Sequence, residues 1–530
     1  MRKTLRRLGV TLLASLSATP LFAADPPASQ RIANDIARLA SDEFEGRAPG
    51  TRGEDLTVEY LVDQFRRAGL APGNPDGSYL QRVPIIGYRS VPRIEIEAGG
   101  KPIPFAFLDD FVHDTTMLRE RATAGNAGVV FAGYGIVAPM YQWDDYAGVD
   151  VRGKLVIVLG GEPPVSFKGE TRTYFSSRDS KFATAAARGA AGILIVSDPE
   201  KSHTYAVFQT FAKMEGAALE PAPRAKQTLI SGLVTIGAAR RLFHEAGLDF
   251  DQLKTAADRP GARAVMLKAK ANISITSQLR RFVSHNVVAR VAGSDPRLAA
   301  EHVIYSAHWD HLGRDPTLSG DQIYNGAIDD AAGTAQMLEI ARTFAALTKK
   351  PKRSVLFIAT TAEEKGYLGS RYYAQHPLVP IADTVANINL DGGNVWGVTS
   401  DLITTGYGLS TLDESLAAAA RQQGRTFIEE AIDDGALYFA SDQVEFAKVG
   451  IPAAFPFSGN QYVGQPKDYG DQKWGAYSST DYHQVTDEVR PDWDYSGVVK
   501  DAEWLQMAGM LVADAPERPQ WKSGSEFSRR

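Results

Sequence analysis

The sequence predicts an α/β protein: a mixed, largely parallel sheet flanked by helices, with a smaller β-rich unit inserted into it. Three observations carry this. From "RRFVSHNVVARVAG" onward, buried strand patterns ("HVIYSA", "RSVLFIATT", "ADTVANINL") alternate with helical ones ("AAGTAQMLEIARTFAAL", "GYLGSRYYAQ"), and such alternation builds parallel layers. From about 90 to 283 the texture is different. Short β-branched runs such as "GKLVIVLGG", "AAGILIVSD" and "ANISITSQ" are separated by turn residues, with few helical stretches. Finally, 530 residues exceed one ordinary core and point to two or three domains.

The elements follow in order. Residues 1–23 read as an export signal: Arg2, Lys3, Arg6 and Arg7 form a positive start, Leu8 to Leu16 an apolar stretch, and Leu21-Phe22-Ala23-Ala24 a small-residue cleavage site. The apolar run is well short of the roughly 20 residues that a membrane span needs, so the mature chain is expected to be exported, periplasmic or secreted, without a membrane anchor. Residues 28–75 carry two helical patterns, "SQRIANDIARLASDEF" and "GEDLTVEYLVDQFRRAGL", around the Gly/Pro loop "GRAPGTRG". The β-rich segment then ends near 283, the alternating region follows, and "GVVKDAEWLQMAGMLVAD" supplies a last helix.

Composition excludes several classes. With 44% hydrophobic and 23% charged residues the chain supports a large core rather than disorder. It has no cysteine, which excludes disulfides, a lipoprotein anchor and thiolate metal ligands. Removing the leader takes away four positive charges and brings the net charge from −6 to −10. No basic stripe offers itself to nucleic acid.

There is no G-x-S-x-G, no Walker A and no H-E-x-x-H; "HEAGL" lacks the second histidine, and "GYGIVA" is a glycine turn between strands. The informative residues lie at strand ends. "SAHWDHLG" presents His308, Asp310 and His311, "NGAIDDAAG" presents Asp329 and Asp330, "TTAEEKG" presents Glu363 and Glu364, and "NINLDGG" presents Asp391. "TDYHQVTDE" adds His483 far downstream. Ligands gather at the carboxyl ends of strands in an open parallel sheet. Imidazoles and carboxylates without thiols suit zinc, manganese or cobalt, with imidazole favouring zinc. Two histidines and three carboxylates exceed the three protein ligands usual for one catalytic zinc, and suit two ions roughly 3.5–4 Å apart that share a carboxylate. Within "TTAEEKG", neighbouring residues of an extended segment face opposite ways, so Glu363 and Glu364 are expected to have different surroundings.

The series H-x-D, G-A-x-D-D-A-x-G, A-E-E-x-G-x-x-G-S, N-x-D and Y-H-Q-x-x-D-E resembles the co-catalytic zinc exopeptidases, a family that includes bacterial leucyl aminopeptidases, glutamate carboxypeptidase and the non-enzymatic transferrin receptor. "DEFEGRAPGTRG" and "PQWKSGSEF" extend the likeness toward both ends. "GYGIVAPMYQWDDYAGVDVRGKLVIVLGG" and "KFATAAARGAAGILIVSDP" are similar to the protease-associated domain often inserted in these enzymes. The resemblance implies a catalytic domain made of residues 28–90 and 284–520, with 91–283 inserted. It implies two Zn2+ per chain, with His308 and Asp391 on one, Glu364 and His483 on the other, and Asp329 bridging. Asp310 is implied to orient His308, and Glu363 to act as general base. The family also has a cis peptide at the position of Asp329–Asp330.

Ser441-Asp442-Gln443 departs from the Ser-Asp-His of many relatives and bears on substrate preference. Tyr462, in "SGNQYVGQPKDYG", is a candidate oxyanion donor. The implied function is an aminopeptidase acting on peptides with a free N-terminus. A carboxypeptidase or dipeptidase on the same site would need an arginine clamp, for which Arg314 and Arg371 are candidates. A binding protein on a dead scaffold is the third alternative, opposed by the filled ligand set and by Glu363.

Overall fold

The computed structural model describes residues 26–113, 118–164, 174–200, 204–220, 227–429, 437–523, 525 and 527–528. The leader read at 1–23 lies outside them.

His302–His308 and Ser354–Thr360 form the centre of the sheet and are buried along their whole lengths, because helices cover both faces. Val303, Tyr305, Val355 and Phe357 face a core that includes Met337, Leu338 and Phe344 of the helix Gly333–Ala346 and Trp504 and Leu505 of the helix Ser496–Asp514. The alternate residues Ile304, Leu356 and Ile358 face Tyr373 of Leu368–Gln375 and Phe446 of Gln443–Lys448. This is the two-residue period of a strand expressed in two separate cores.

The two central strands are parallel, with His308 level with Thr360, and Thr384–Asn389 runs parallel on the other side with Ser306 level with Asn389. The ends that carry His308, the Glu363–Glu364 turn and Asp391 therefore lie at one edge of the sheet. Beyond Thr384–Asn389, Ala453–Ser458 pairs parallel and Asp401–Thr405 antiparallel, making the sheet mixed.

On the other flank the sheet does not stop. Val265–Val291 is one strand that pairs with Ser354–Thr360 through Val287–Val291 and with Leu80–Ala98 from Ala98 down to Leu80. Residues 90/91 and 283/284, where sequence texture changes, both fall inside these strands. Ser90 pairs with Ser277, and their hydroxyls bond at 2.7 Å. The texture breaks near 278–281 because Gln278, Arg280 and Arg281 are exposed there, midway between two cores. On one side Ala269, Ala271, Ile273 and Ile275 face the core of the smaller unit, and on the other Val287, Ala289 and Val291 face the central one.

In the smaller unit, Arg121–Phe131, Leu155–Leu159, Gly192–Ser197 and Ile230–Thr235 are parallel neighbours in that order. Arg178–Ala187, Thr204–Lys213 and Ile236–Glu245 are its main helices. The N-terminal helical expectation resolves into Ala28–Leu39, a 3-10 turn Asp42–Arg47, and Arg52–Arg67.

Two glycines test the packing. A Cβ on Gly509, inside Ser496–Asp514, would sit 2.6 Å from the ring of Tyr305, which is fully buried and donates its hydroxyl to the Leu505 carbonyl at 2.7 Å. Gly475, exposed in the helix Tyr469–Thr480, would meet nothing within 4 Å. Gly509→Ala is expected to destabilise by about 1–3 kcal/mol through overpacking. Gly475→Ala should stabilise by about 0.5–1 kcal/mol through helix propensity. Urea unfolding of both variants checks the opposite signs.

Candidate metal centre

His308 ends its strand, and its Nδ1 lies 3.1 Å from the Asp310 main-chain carbonyl. A carbonyl only accepts, so Nδ1 carries the proton and Nε2 keeps its lone pair. That Nε2 faces Asp329 Oδ1 at 3.2 Å and Asp391 Oδ1 at 3.5 Å. On the other side, His483 Nε2 lies 3.0 Å from Asp329 Oδ2 and 3.3 Å from Glu364 Oε2. The two oxygens of Asp329 thus face two different histidines. His308 Nε2 and Glu364 Oε1 are buried, the first facing carboxylate oxygens and the second His311 Nδ1 at 2.6 Å. Imidazole nitrogens and carboxylate oxygens that converge this closely fit a pair of divalent cations.

Glu363 and Glu364 are separated by a turn rather than by strand pleating. The strand ends at Thr360, Ala362 takes φ of 53°, and the Glu363 carbonyl accepts the N–H groups of Gly366 and Tyr367. Burial drives the Glu363 carboxyl well above the usual range, and the charges of Asp391 and Glu364 add to this despite His308. Glu364 is buried too, but His483 and His311 outweigh burial and hold it below its usual value. The pair therefore has unlike surroundings, as expected, by a different route.

Asp310 holds His308 through its main chain. Its carboxylate sits 3.9 Å from His308 Nδ1 and instead accepts the Glu363 N–H at 3.0 Å. Burial pushes the Asp310 carboxyl up to about 7.

The loops that carry the donors are tied by buried groups that motif spacing did not single out. The Asp330 carboxylate accepts the N–H of His308 at 3.1 Å, of Gly333 at 2.9 Å and of Gly392 at 2.7 Å. Asp487 accepts those of Ile328 and Asp329 at 3.0 and 3.1 Å. The Arg47 guanidinium, fully buried, donates to the carbonyls of Leu39, Trp309, Asn325 and Gly326. Asp330 and Asp487 stand within quoted motifs, and Arg47 within "GRAPGTRG"; the sequence signal was adjacency alone. The Asp329–Asp330 peptide bond is cis.

A cleft of about 820 Å3 opens over the centre, lined by Asp329, Glu363, Glu364, Asp391 and His483. Its far wall comes from the smaller unit, where Phe211 of Thr204–Lys213 packs edge-on against His483 with centroids 5.1 Å apart. Tyr482 stacks on the same imidazole at 3.8 Å and also lines the cleft.

Tyr462 is not brought to the cleft. Its hydroxyl donates to Asn394 Oδ1 at 3.1 Å and its ring packs on Tyr469. Gln443 is buried beneath the centre, accepting from Asn389 and donating to the Tyr438 carbonyl. Arg314 bonds Gln322 away from the cleft, while Arg371 lines it but pairs with Glu445 at 3.0 Å.

Residues 286–505 match the family model described as Peptidase family M28. The structure of an aminopeptidase from Aneurinibacillus sp. strain AM-1 has the same fold, with 21% identity over 92% of this chain and 95% of its own, at a TM-score of 0.51. Among curated proteins, the aminopeptidase NAALADL1 of Mus musculus is 33% identical over 23% of this chain. A vacuolar membrane protease of Lachancea thermotolerans is 26% identical over 34% of it. The matches cover only 15% and 17% of those two relatives' own lengths.

Kinship with vacuolar membrane proteases corrects one expectation. By name, these relatives are proteins of an organelle's membrane, so the periplasmic or secreted location is not upheld. Among the described residues no helix is long and apolar enough to cross a membrane.

Replacing Asp330 by Asn puts an NH2 where one oxygen now accepts main-chain amides. Asp330→Asn is expected to weaken metal binding by about 10–100-fold, as loss of a supporting partner does. Competition with a chromogenic chelator measures it.

Proposed function

We propose that this chain is a two-zinc exopeptidase that releases N-terminal residues from peptides. The observation that carries the proposal is Asp329, whose two oxygens face His308 with Asp391 on one side and His483 with Glu364 on the other. In this reading His308 and Asp391 would hold one zinc ion, Glu364 and His483 the other, and Asp329 would contribute to both. When bound, the ions polarise the scissile carbonyl and lower the pKa of the attacking water.

The chain's own groups do the rest. Glu363 opens onto the cleft beside the donors, and its raised proton affinity suits a general base. It takes the proton of the attacking water and passes it to the departing amine nitrogen. The N–H of Glu363 is held by Asp310, and the Asp310 carbonyl keeps His308 Nδ1 protonated; Asp310 positions both base and ligand. Residues 28–90 and 284–520 would form the catalytic domain. Residues 91–283 would be the inserted protease-associated domain, whose Phe211 closes the cleft over His483.

The acidic floor of the cleft favours a substrate with a free α-ammonium. A carboxypeptidase would require a cation to clamp a carboxylate; of the two arginines considered, Arg371 is committed to Glu445 and Arg314 lies off the cleft, while Arg178 and Lys365 also line it.

Two experiments test this. With zinc-loaded enzyme, a C-amidated dipeptide should be cleaved and its N-acetylated counterpart should not; the reverse pattern contradicts an aminopeptidase. Glu363→Gln should keep both metals while kcat falls by about 10²–10⁴-fold, and Glu364→Gln should lose zinc. Equal metal content and equal activity in the two variants would refute the division of labour.

A further inference from the structure

His311 is a second histidine in "HWDHLG" that the five-ligand set leaves without a task. Its side chain is fully buried, and its Nε2 has no hydrogen-bond partner. It is nevertheless held firmly. Its main-chain N–H reaches the Arg47 carbonyl at 3.4 Å. On one side of the ring stands Gly326, where even a Cβ would come within 2.6 Å of the imidazole carbons. On the other stands His483, with ring centroids 5.8 Å apart. The ring is thus aimed at the centre and cannot turn to solvent.

Nδ1 of His311 lies 2.6 Å from Glu364 Oε1, within hydrogen-bond reach, and both side chains are buried. Ligand atoms of His311, Asp329 and Glu364 all lie within 4.8 Å of one another, as do those of His308, Asp329 and Asp391. An imidazole whose second nitrogen has no partner is costly to bury. A lone pair aimed at a cation removes that cost, since neutral imidazole is a common metal ligand.

We propose that His311 is a sixth protein ligand of the metal centre, on the half formed by Glu364 and His483. Resting on the two-metal reading above, this makes the centre unequal. The Glu364 half has four protein donors, His311, Asp329, Glu364 and His483. The His308 half has three, with Asp391 on the open cleft. Four protein ligands are the pattern of a closed, retentive site, and three plus an open position that of a working one. The half that includes His311 is the ion kept, and the His308 half is the ion that exchanges.

The test titrates metal-free full-length wild type, His311→Ala and His311→Gln with Zn2+ by calorimetry, and records the visible absorption of the Co2+-loaded proteins. The wild type should take two ions in two steps. In both variants the tighter step should weaken by about 100-fold or more, at the upper end of what loss of a supporting group produces. The Co2+ bands of that ion should shift with loss of a nitrogen donor, while the metal-free thermal midpoint does not fall. Gln keeps a hydrogen-bond donor beside Glu364 but no imidazole lone pair. If His311→Gln keeps wild-type affinity and Co2+ absorption, His311 only orients Glu364 and the inference is overturned. If the wild type binds fewer than two ions, the two-metal reading itself fails, whatever the variants do.

Discussion

The candidate centre depends on one buried carboxylate that touches no substrate. Asp330 receives main-chain N–H groups from the end of the first strand, from the start of the following helix and from the loop after Asp391. Three donor-bearing segments that would otherwise meet as independent loops are thereby locked together. Loops cannot hold several convergent, mutually repelling carboxylates around two imidazoles unless their backbones are fixed first, and fixed backbones are what supporting partners supply. Asp487 and Arg47 complete the frame, the first holding the N–H groups of Ile328 and Asp329, the second four carbonyls around the same loops.

Within that frame the same residue type is given different chemistry by its neighbours. Asp329 and Glu364 lie beside imidazoles and are held as carboxylates. Glu363, one residue away, is surrounded mainly by like charge and burial and is driven the other way. Environments that push adjacent carboxyls apart are how one site obtains both ligands and a base. The smaller unit contributes to the same cleft through Phe211 of the helix Thr204–Lys213, and a strand pair joins that unit to the central sheet. That continuity limits how far the wall moves independently of the floor.

Much of this was legible in the sequence, for a physical reason. Apolar strands buried on both faces are continuous hydrophobic runs, so "HVIYSA" and "RSVLFIATT" announced themselves, and the chemistry-bearing residues stand directly after them. The parallel register then brings His308, Glu364 and Asp391 to one edge, and Asp329 and His483 arrive from the loops above. Less visible was whatever depends on side-chain direction. Val265–Val291 was obscured because its exposed middle interrupts the pattern of one strand serving two cores. Tyr462 stands in a loop of the right composition but bonds Asn394 instead of facing the cleft. Arg47 and His311 act through burial, which neither spacing nor composition expresses. The expected Asp310 carboxylate contact to His308 was replaced by its carbonyl, a difference of one atom's direction.

The most direct measurement is an anomalous-scattering crystal structure of the zinc-loaded protein, recorded on both sides of the zinc absorption edge. Two zinc peaks are expected, roughly 3.5–4 Å apart as in other two-metal sites. One should be bounded by His308 and Asp391, the other by Glu364 and His483, with Asp329 between them. A single peak, or two peaks that do not share Asp329, would contradict the account.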